Sequence, residues 1–121
     1  MTLGRQFAEA LAAKDFERVQ SLLHPEIDFA GLTPKRTWSA SDPAGVVDDV
    51  LRRWFEDCDE VDEVVSIETE AVADRERLGY RFAGHNRDGP FLVEQQAYLS
   101  EREGRIDWMR VICSGMRPPE G

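Results

Sequence analysis

The sequence predicts an α+β domain in which three N-terminal helices pack on a strongly curved antiparallel sheet. Two observations predict it. Apolar residues recur at helical spacing in the first half, whereas the second half reads as long strands with Gly-containing bends at 87–89 and 102–104. The strands are predicted over residues 61–74, 77–87, 90–101 and 105–114. Helices laid across one face of such a sheet leave a hollow, so a pocket is expected.

The first two predicted helices are amphipathic. Residues 3–14 form the first, and Asp15 caps the second, which ends at His24-Pro25 because proline disfavours helical geometry at the residue before it. The inward-facing positions are Leu3, Phe7 and Leu11 in the first helix, and Phe16, Val19, Leu22 and Leu23 in the second. Helical spacing of these apolar side chains predicts that both helices pack on the sheet.

A short strand over 27–32 and an extended piece over 36–38 follow. A third helix then begins at Ser41 or Asp42, with Pro43 in its first turn, where the missing N–H costs nothing. Its apolar stripe comprises Val46, Val47, Val50, Leu51, Trp54 and Phe55. This stripe predicts that the third helix also faces the core.

Length and charge limit the function. The 121 residues predict one domain, 1–121, with a loose tail from about 117. A net charge of −9, from 24 acidic against 15 basic residues, argues against nucleic-acid binding and against a polybasic membrane anchor. No apolar run approaches the roughly 20 residues of a membrane helix, and no signal-peptide pattern opens the sequence. A cytoplasmic location is therefore predicted.

No metal or cofactor is predicted. Cys58 and Cys113 lack C-x-x-C spacing, and the two histidines stand alone. Six acidic residues crowd residues 56–63, which suggests either a solvated loop or a site for a metal or a cationic partner.

The order of elements carries a resemblance. The residues that carry it are Phe7-x-x-x-Leu11-x-x-x-Asp15-Phe16, then Leu22-Leu23-His24-Pro25, and the closing run 104–111. Together they resemble the nuclear transport factor 2-like, or SnoaL-like, superfamily over nearly the whole chain. The resemblance implies a cone-shaped domain that encloses a pocket. The superfamily includes isomerases, dehydratases, epoxide hydrolases, polyketide cyclases, ligand binders and adaptor domains, so the fold does not identify the activity.

The ketosteroid isomerase-like members of that superfamily use a tyrosine, an aspartate base and a protonated aspartate. Laid along this chain without gaps, those roles fall at Phe7, Ala30 and Gln96. Phenylalanine has no hydroxyl, alanine is no base, and an amide is a weak donor. The same mechanism is therefore not expected here.

The resemblance implies that Glu94, Gln96 and Tyr98 lie on the concave face of the sheet. The residues expected beside them are Met109, Val111 and Cys113. A carboxylate in such a pocket would have a raised pKa, which makes Glu94 the candidate general acid or base, assisted by Tyr98 or Gln96. The alternatives are a Glu94 paired with an arginine or exposed on the outer face. A three-residue turn at 102–104 would instead align Tyr98 with Trp108.

Further candidates line the pocket. Arg36, Trp38 and Trp54 are expected at its mouth, where they could hold an anionic or planar ligand. The alternative is that both tryptophans pack in the core and Arg36 forms a surface salt bridge. Cys113 is either a reactive thiol or a small core residue.

Three functions remain open. The first is a small-molecule pocket protein that catalyses acid–base chemistry with Glu94, and the second is a non-catalytic binder of a small apolar or planar ligand. The third is a dimeric interaction module with a vestigial pocket. A homodimer is predicted through the outer sheet face, on which Trp108, Arg110 and Ile112 form a patch.

Overall fold

A computed structural model describes residues 1–119 and has helices on one face of a single six-stranded sheet. The helices are α1 (Leu3–Ala12), α2 (Phe16–Ser21) and α3 (residues 43–54), and the strands are β1 (Leu23–Thr33), β2 (Arg36–Ala40), β3 (Glu60–Val72), β4 (Arg75–Asn86), β5 (Gly89–Arg102) and β6 (Arg105–Cys113). The order across the sheet is β2-β1-β6-β5-β4-β3. The α+β prediction is confirmed. The sheet is mixed rather than wholly antiparallel, because β1 runs parallel to β6.

Side chains cap the helices where the sequence predicts. The Asp15 carboxylate accepts a hydrogen bond from the backbone N–H of Arg18 at 3.1 Å, and Asp42 accepts one from Gly45 at 2.6 Å. Each bond satisfies a backbone donor that has no partner inside the helix. Within residues 1–119, no helix combines the length and the apolar character needed to cross a membrane.

Helix α3 is irregular. It opens with an α-helical turn (Pro43–Gly45), widens to a π-helix over Val46–Leu51, and closes with Arg52–Trp54. The wider turn buries two adjacent apolar pairs, Val46 with Val47 and Val50 with Leu51. Trp54 is the last residue of the helix, and its side chain is buried.

The second helix is shorter than predicted. α2 ends at Ser21, and β1 already begins at Leu23, which pairs with Ile106. Pro25 favours extended backbone in the residue before it, and the strand extends back through that residue. His24 therefore lies in β1, where its ring nitrogens contact Glu103 at 2.8 Å and the backbone N–H of Glu26 at 3.0 Å.

The turn between β5 and β6 decides how these strands align. It is a two-residue turn in which Glu103 and Gly104 both have positive φ, as a tight hairpin requires. Ser100 pairs with Trp108 and Glu101 with Ile106, so Asp107 is an extra residue on β6, a β-bulge. Tyr98 consequently lies opposite Arg110. Neither alignment considered from the sequence is correct, because neither includes the bulge.

The core lies between the helices and the concave face of the sheet. Its largest fully buried side chains are Tyr80, Phe7, Phe29, Phe55, Phe82, Leu11, Leu23, Ile27, Leu51, Leu78, Leu99 and Ile106. The core reaches from α1 to the end of α3. Close to Trp54 the packing opens into a cleft.

Candidate ligand-binding cleft

Strand β5 faces the opposite way to the prediction. Its buried residues are Phe91, Val93, Gln95, Ala97 and Leu99, and these alternate with exposed or half-buried ones. Glu94, Gln96 and Tyr98 therefore lie on the outer face, so their predicted position on the concave face is wrong. Trp108, Arg110 and Ile112 do lie on the outer face, as predicted, while Met109 and Val111 are buried in the core.

Glu94 is held by an arginine. Its Oε1 accepts a hydrogen bond from Arg81 Nε at 2.6 Å, and its Oε2 accepts one from Gln96 Nε2 at 3.3 Å. The bond from Arg81, followed by that from Gln96, lowers the pKa of Glu94 below its usual value. The prediction of a raised pKa for Glu94 is therefore wrong, and the alternative, a glutamate paired with an arginine, is observed.

The cleft lies between the end of α3, strands β1 and β2, and the concave side of β5 and β6. Its volume is about 220 Å³. The lining residues are Thr33, Trp38, Arg53, Trp54, Phe55, Val93, Gln95, Cys113, Gly115 and Met116. Of the predicted site residues, Trp38, Trp54 and Cys113 are thus brought together, whereas Arg36 and Gln96 do not line the cleft.

Two tryptophans form one wall. The rings of Trp38 and Trp54 are nearly perpendicular, at 88°, with centroids 6.2 Å apart. Trp54 lies over Gly31 of β1, because a Cβ built there would come within 2.6 Å of its ring. The indole Nε1 of Trp38 donates to Thr33 Oγ1 at 2.8 Å, which fixes that ring. The wall is therefore apolar and firmly positioned.

The floor of the cleft is polar. Gln95 is fully buried, and the Tyr80 hydroxyl donates a hydrogen bond to its Oε1. Burial, and secondarily the electrostatic effect of the neighbouring Cys113, raises the pKa of Tyr80 well above its usual value, so the hydroxyl keeps its proton at neutral pH. Within residues 1–119, Gln95 Nε2 and Trp54 Nε1 are buried atoms without a hydrogen-bond partner.

Two arginines lie near the mouth. Arg53 is exposed and lines the cleft, and the Arg36 guanidinium stacks 3.7 Å from the centre of the Trp38 ring. The surface salt bridge expected as the alternative for Arg36 does not occur with any partner within residues 1–119. A guanidinium over an indole face is a favourable cation–π contact.

The lining groups set the chemistry available. Among the residues named above as lining the cleft, none is a carboxylate or a histidine. The Cys113 sulfur accepts a hydrogen bond from the backbone N–H of Gly115 at 3.4 Å. The arrangement offers aromatic surface and hydrogen-bond donors, which suits binding better than proton abstraction.

Sequence reasoning missed Gln95, which lines the cleft, and Tyr80, which is hydrogen-bonded to it. Residues 91, 93, 95, 97 and 99 read Phe, Val, Gln, Ala and Leu, so Gln95 is the polar member of an apolar alternation. Tyr80 stands likewise between Leu78 and Phe82 on β4. Strict period-two alternation was the signal that could have found both.

The acidic segment 56–63 forms a short loop over residues 56–59 and then the start of β3. Asp59 is buried and accepts hydrogen bonds from the backbone N–H of Glu56 at 2.9 Å and from Asn86 Nδ2 at 3.0 Å. Lys14 Nζ donates to the carbonyls of Glu56 and Asp59. Candidate ligand atoms of Glu56, Cys58 and Asp59 lie within 4.8 Å of one another, but those of Asp59 already accept these bonds.

The outer sheet face carries exposed apolar side chains. Leu32, Tyr98 and Ile112 are 47%, 45% and 61% exposed. They border a groove of about 310 Å³. Trp108 lies beside it, with the guanidinium groups of Arg75 and Arg110 at 3.7 Å and 4.7 Å from its ring centre.

Solved structures share this architecture. A hypothetical protein with a ketosteroid isomerase-like fold from Catenulispora acidiphila, in complex with trimethylamine, has a TM-score of 0.73 and 14% identity, over 93% of this chain and 85% of that one. An LEH-like epoxide hydrolase from M. tuberculosis has a TM-score of 0.68 and 17% identity, over 93% and 80%.

A nuclear transport factor 2-like protein from Burkholderia thailandensis has a TM-score of 0.66 and 18% identity, over 93% of this chain and 88% of that one. No protein-family model matches the sequence, and no curated protein matches it significantly. Identities this low establish the fold and not the activity.

Proposed function

We propose that this chain, whose fold is that of the nuclear transport factor 2-like proteins, binds a small, largely apolar or planar molecule in the cleft between Trp38 and Trp54. One observation carries the proposal: a cleft walled by two perpendicular indoles ends on a buried amide that has an unused hydrogen-bonding atom. Ligand sites are typically concave and mostly apolar, with a few polar groups that fix orientation. A volume of about 220 Å³ suits a ligand of one or two rings.

Non-catalytic binding is the better supported of the two pocket functions. Glu94 is ion-paired to Arg81 on the outer face, which removes it from the cleft. Within the part of the chain that the structure describes, the residues that line the cleft include no carboxylate or histidine that could act as a base. An acid–base enzyme would need a different catalytic group, and turnover of a β,γ-unsaturated ketone would reveal one.

The test is a binding screen that reads the tryptophans. The chain has three tryptophans. Trp54 lines only the cleft, Trp38 lines both the cleft and the outer groove, and Trp108 lies on the outer face, so a change that involves Trp54 reports the cleft. Trp38→Phe and Trp54→Phe should each remove part of the ligand-induced change, and Trp108→Phe should leave it intact. A ligand whose signal depended only on Trp108 would contradict the proposal.

We also propose that two copies pair through the outer sheet face. Exposed Leu32, Tyr98 and Ile112 border the groove there, and apolar patches bordered by charges are typical of interfaces. Trp108 and Arg110 lie at the edge of this patch. Light scattering at micromolar concentration should give twice 13.8 kDa, and Trp108→Glu should dissociate the pair more than Glu94→Gln does. A 13.8 kDa particle would remove the claim.

The remaining function, a dimeric module with a vestigial pocket, would follow from a dimer whose cleft binds nothing. Cytoplasmic location stays a prediction, which cell fractionation would test.

A further inference from the structure

We infer that the ligand carries a carbonyl-type oxygen, a hydrogen-bond acceptor, which sits against Gln95 Nε2 and Trp54 Nε1. The inference rests on the proposed function, because it requires that the cleft binds a small molecule. It specifies whether the ligand donates or accepts a hydrogen bond, which is inferred from the hydrogen bonds that the lining groups already make.

Each side-chain acceptor of the cleft already accepts one hydrogen bond. Gln95 Oε1 accepts from the Tyr80 hydroxyl, and Thr33 Oγ1 accepts from the Trp38 indole. The Cys113 sulfur accepts from the backbone N–H of Gly115. A ligand that brings a donor to this cleft therefore meets oxygen and sulfur atoms that are already bonded.

The donors of the cleft are unused. Gln95 Nε2 and Trp54 Nε1 have no partner within residues 1–119, although both atoms are buried. An indole N–H can only donate, and because Gln95 Oε1 is the end of the amide that the Tyr80 hydroxyl contacts, the NH₂ group is the end without a partner. Burying a donor without a partner is unfavourable, so a ligand gains by supplying an acceptor.

Charge at the mouth agrees with this polarity. Among residues 1–119, Arg53 is the only charged residue that lines the cleft, and it is a cation in a chain whose net charge is −9. An ammonium ligand would find no carboxylate among the lining residues within 1–119, and only side-chain acceptors that already accept one hydrogen bond. Neutral ketones and aromatic carboxylates share the required oxygen, and the probes below distinguish them.

Three probes of one shape test the inference on the intact chain. Acetophenone carries the oxygen, ethylbenzene lacks it, and benzylamine replaces it with a cationic donor; benzoate is added to separate an anionic from a neutral acceptor. Affinities are measured by tryptophan quenching. Benzylamine should bind at least tenfold more weakly than acetophenone. Benzoate binding tighter than acetophenone would identify the anionic form as the preferred source of the oxygen.

Substitutions at the neighbouring residues Gln95 and Gln96 test which side chain contacts the ligand oxygen. Gln95→Leu should weaken acetophenone about tenfold, the typical contribution of one buried hydrogen bond, and leave ethylbenzene unchanged. Gln95→Glu keeps an acceptor for Tyr80 while removing the donor, so it should weaken acetophenone even where Gln95→Leu fails to fold. Gln96→Leu, which makes the same change on the outer face, should alter neither probe.

Two results would overturn the inference and separate it from the proposed function. If acetophenone binds equally to the parent chain and to both Gln95 variants while ethylbenzene still binds, the polarity is refuted and the cleft remains a binding site. If no probe perturbs Trp38 or Trp54 at millimolar concentration, both proposals fail together.

Discussion

Replacing Gly31 by alanine should displace Trp54 and deform the cleft. A Cβ at residue 31 would come within 2.6 Å of Trp54 Cη2 and 2.9 Å of Cζ2, closer than carbon atoms approach without a clash. Trp54 also packs against Phe29 and Trp38, and its remaining open side faces the cleft. The ring can therefore move away only by disturbing these neighbours or by entering the cleft.

The magnitude follows from two opposing terms. Overpacking a well-packed site costs about 1–3 kcal/mol. Replacing glycine in a strand returns roughly 0.5–1 kcal/mol of backbone entropy. The expected net loss in the free energy of unfolding is about 1–2 kcal/mol, which corresponds to a fall of about 4–8 °C in melting temperature for a chain of this size.

Thermal melts and tryptophan emission spectra measure both consequences. Gly79→Ala is the matched control, because its added Cβ would meet only the end of the exposed Gln96 side chain, which can rotate away. The control should stay within about 0.5 kcal/mol of the parent. If Gly31→Ala melts at or above the parent temperature with unchanged emission, Trp54 does not lie against Gly31 and the described wall of the cleft is wrong.

Three further outcomes are expected. Tyr80→Phe leaves the buried Gln95 Oε1 without its donor, so urea titration should show a loss of about 1–2 kcal/mol, and no loss would mean that this bond does not form. Glu94→Gln removes a half-exposed ion pair with Arg81 and should cost under about 1 kcal/mol without altering ligand affinity. Because the pKa of Glu94 is lowered in the folded state, its contribution to the free energy of unfolding is present above the unfolded pKa and is lost as pH falls through the folded pKa. If the stability difference between parent and Glu94→Gln did not change with pH on the acid side, this reasoning would be contradicted. The hydrogen bond to Asp62, and then the charge of Asp62, raises the pKa of His85. The contribution of His85 to the free energy of unfolding is therefore complete below the unfolded pKa and is lost as pH rises through the folded pKa. An NMR titration should show a lower His85 pKa in Asp62→Asn, and an unchanged pKa would contradict the contact.

The sequence predicts the architecture because its signals are local. Helical spacing in α1, the caps at Asp15 and Asp42, and the glycines at the hairpin bends each report on a few neighbouring residues. The element order and the fold therefore follow from the sequence. The extent of β1 does not, because strand pairing with Ile106 decides where α2 ends.

The site is less predictable because it depends on one residue of register. The bulge at Asp107 adds a residue to β6, and the Asp107 carboxylate accepts a hydrogen bond from Ser100 Oγ at 3.0 Å on the other strand. A one-residue error exchanges the two faces of a strand, which is why Glu94 was expected in the cleft in place of Gln95. The apolar alternation at residues 91, 93, 97 and 99 of β5 correctly indicates that Gln95, and not Glu94, faces the core.

The most direct test of ligand binding in the cleft is a ¹H–¹⁵N correlation spectrum of the three indole N–H groups during titration with acetophenone. Trp54 Nε1–H donates to no group within residues 1–119, Trp38 Nε1–H is bonded to Thr33, and Trp108 lies on the outer face. We predict a large downfield shift of the Trp54 signal, a smaller shift of Trp38 and none of Trp108, with the Gln95 side-chain amide shifting in step with Trp54. Unchanged Trp54 and Gln95 signals at saturating acetophenone would contradict the account.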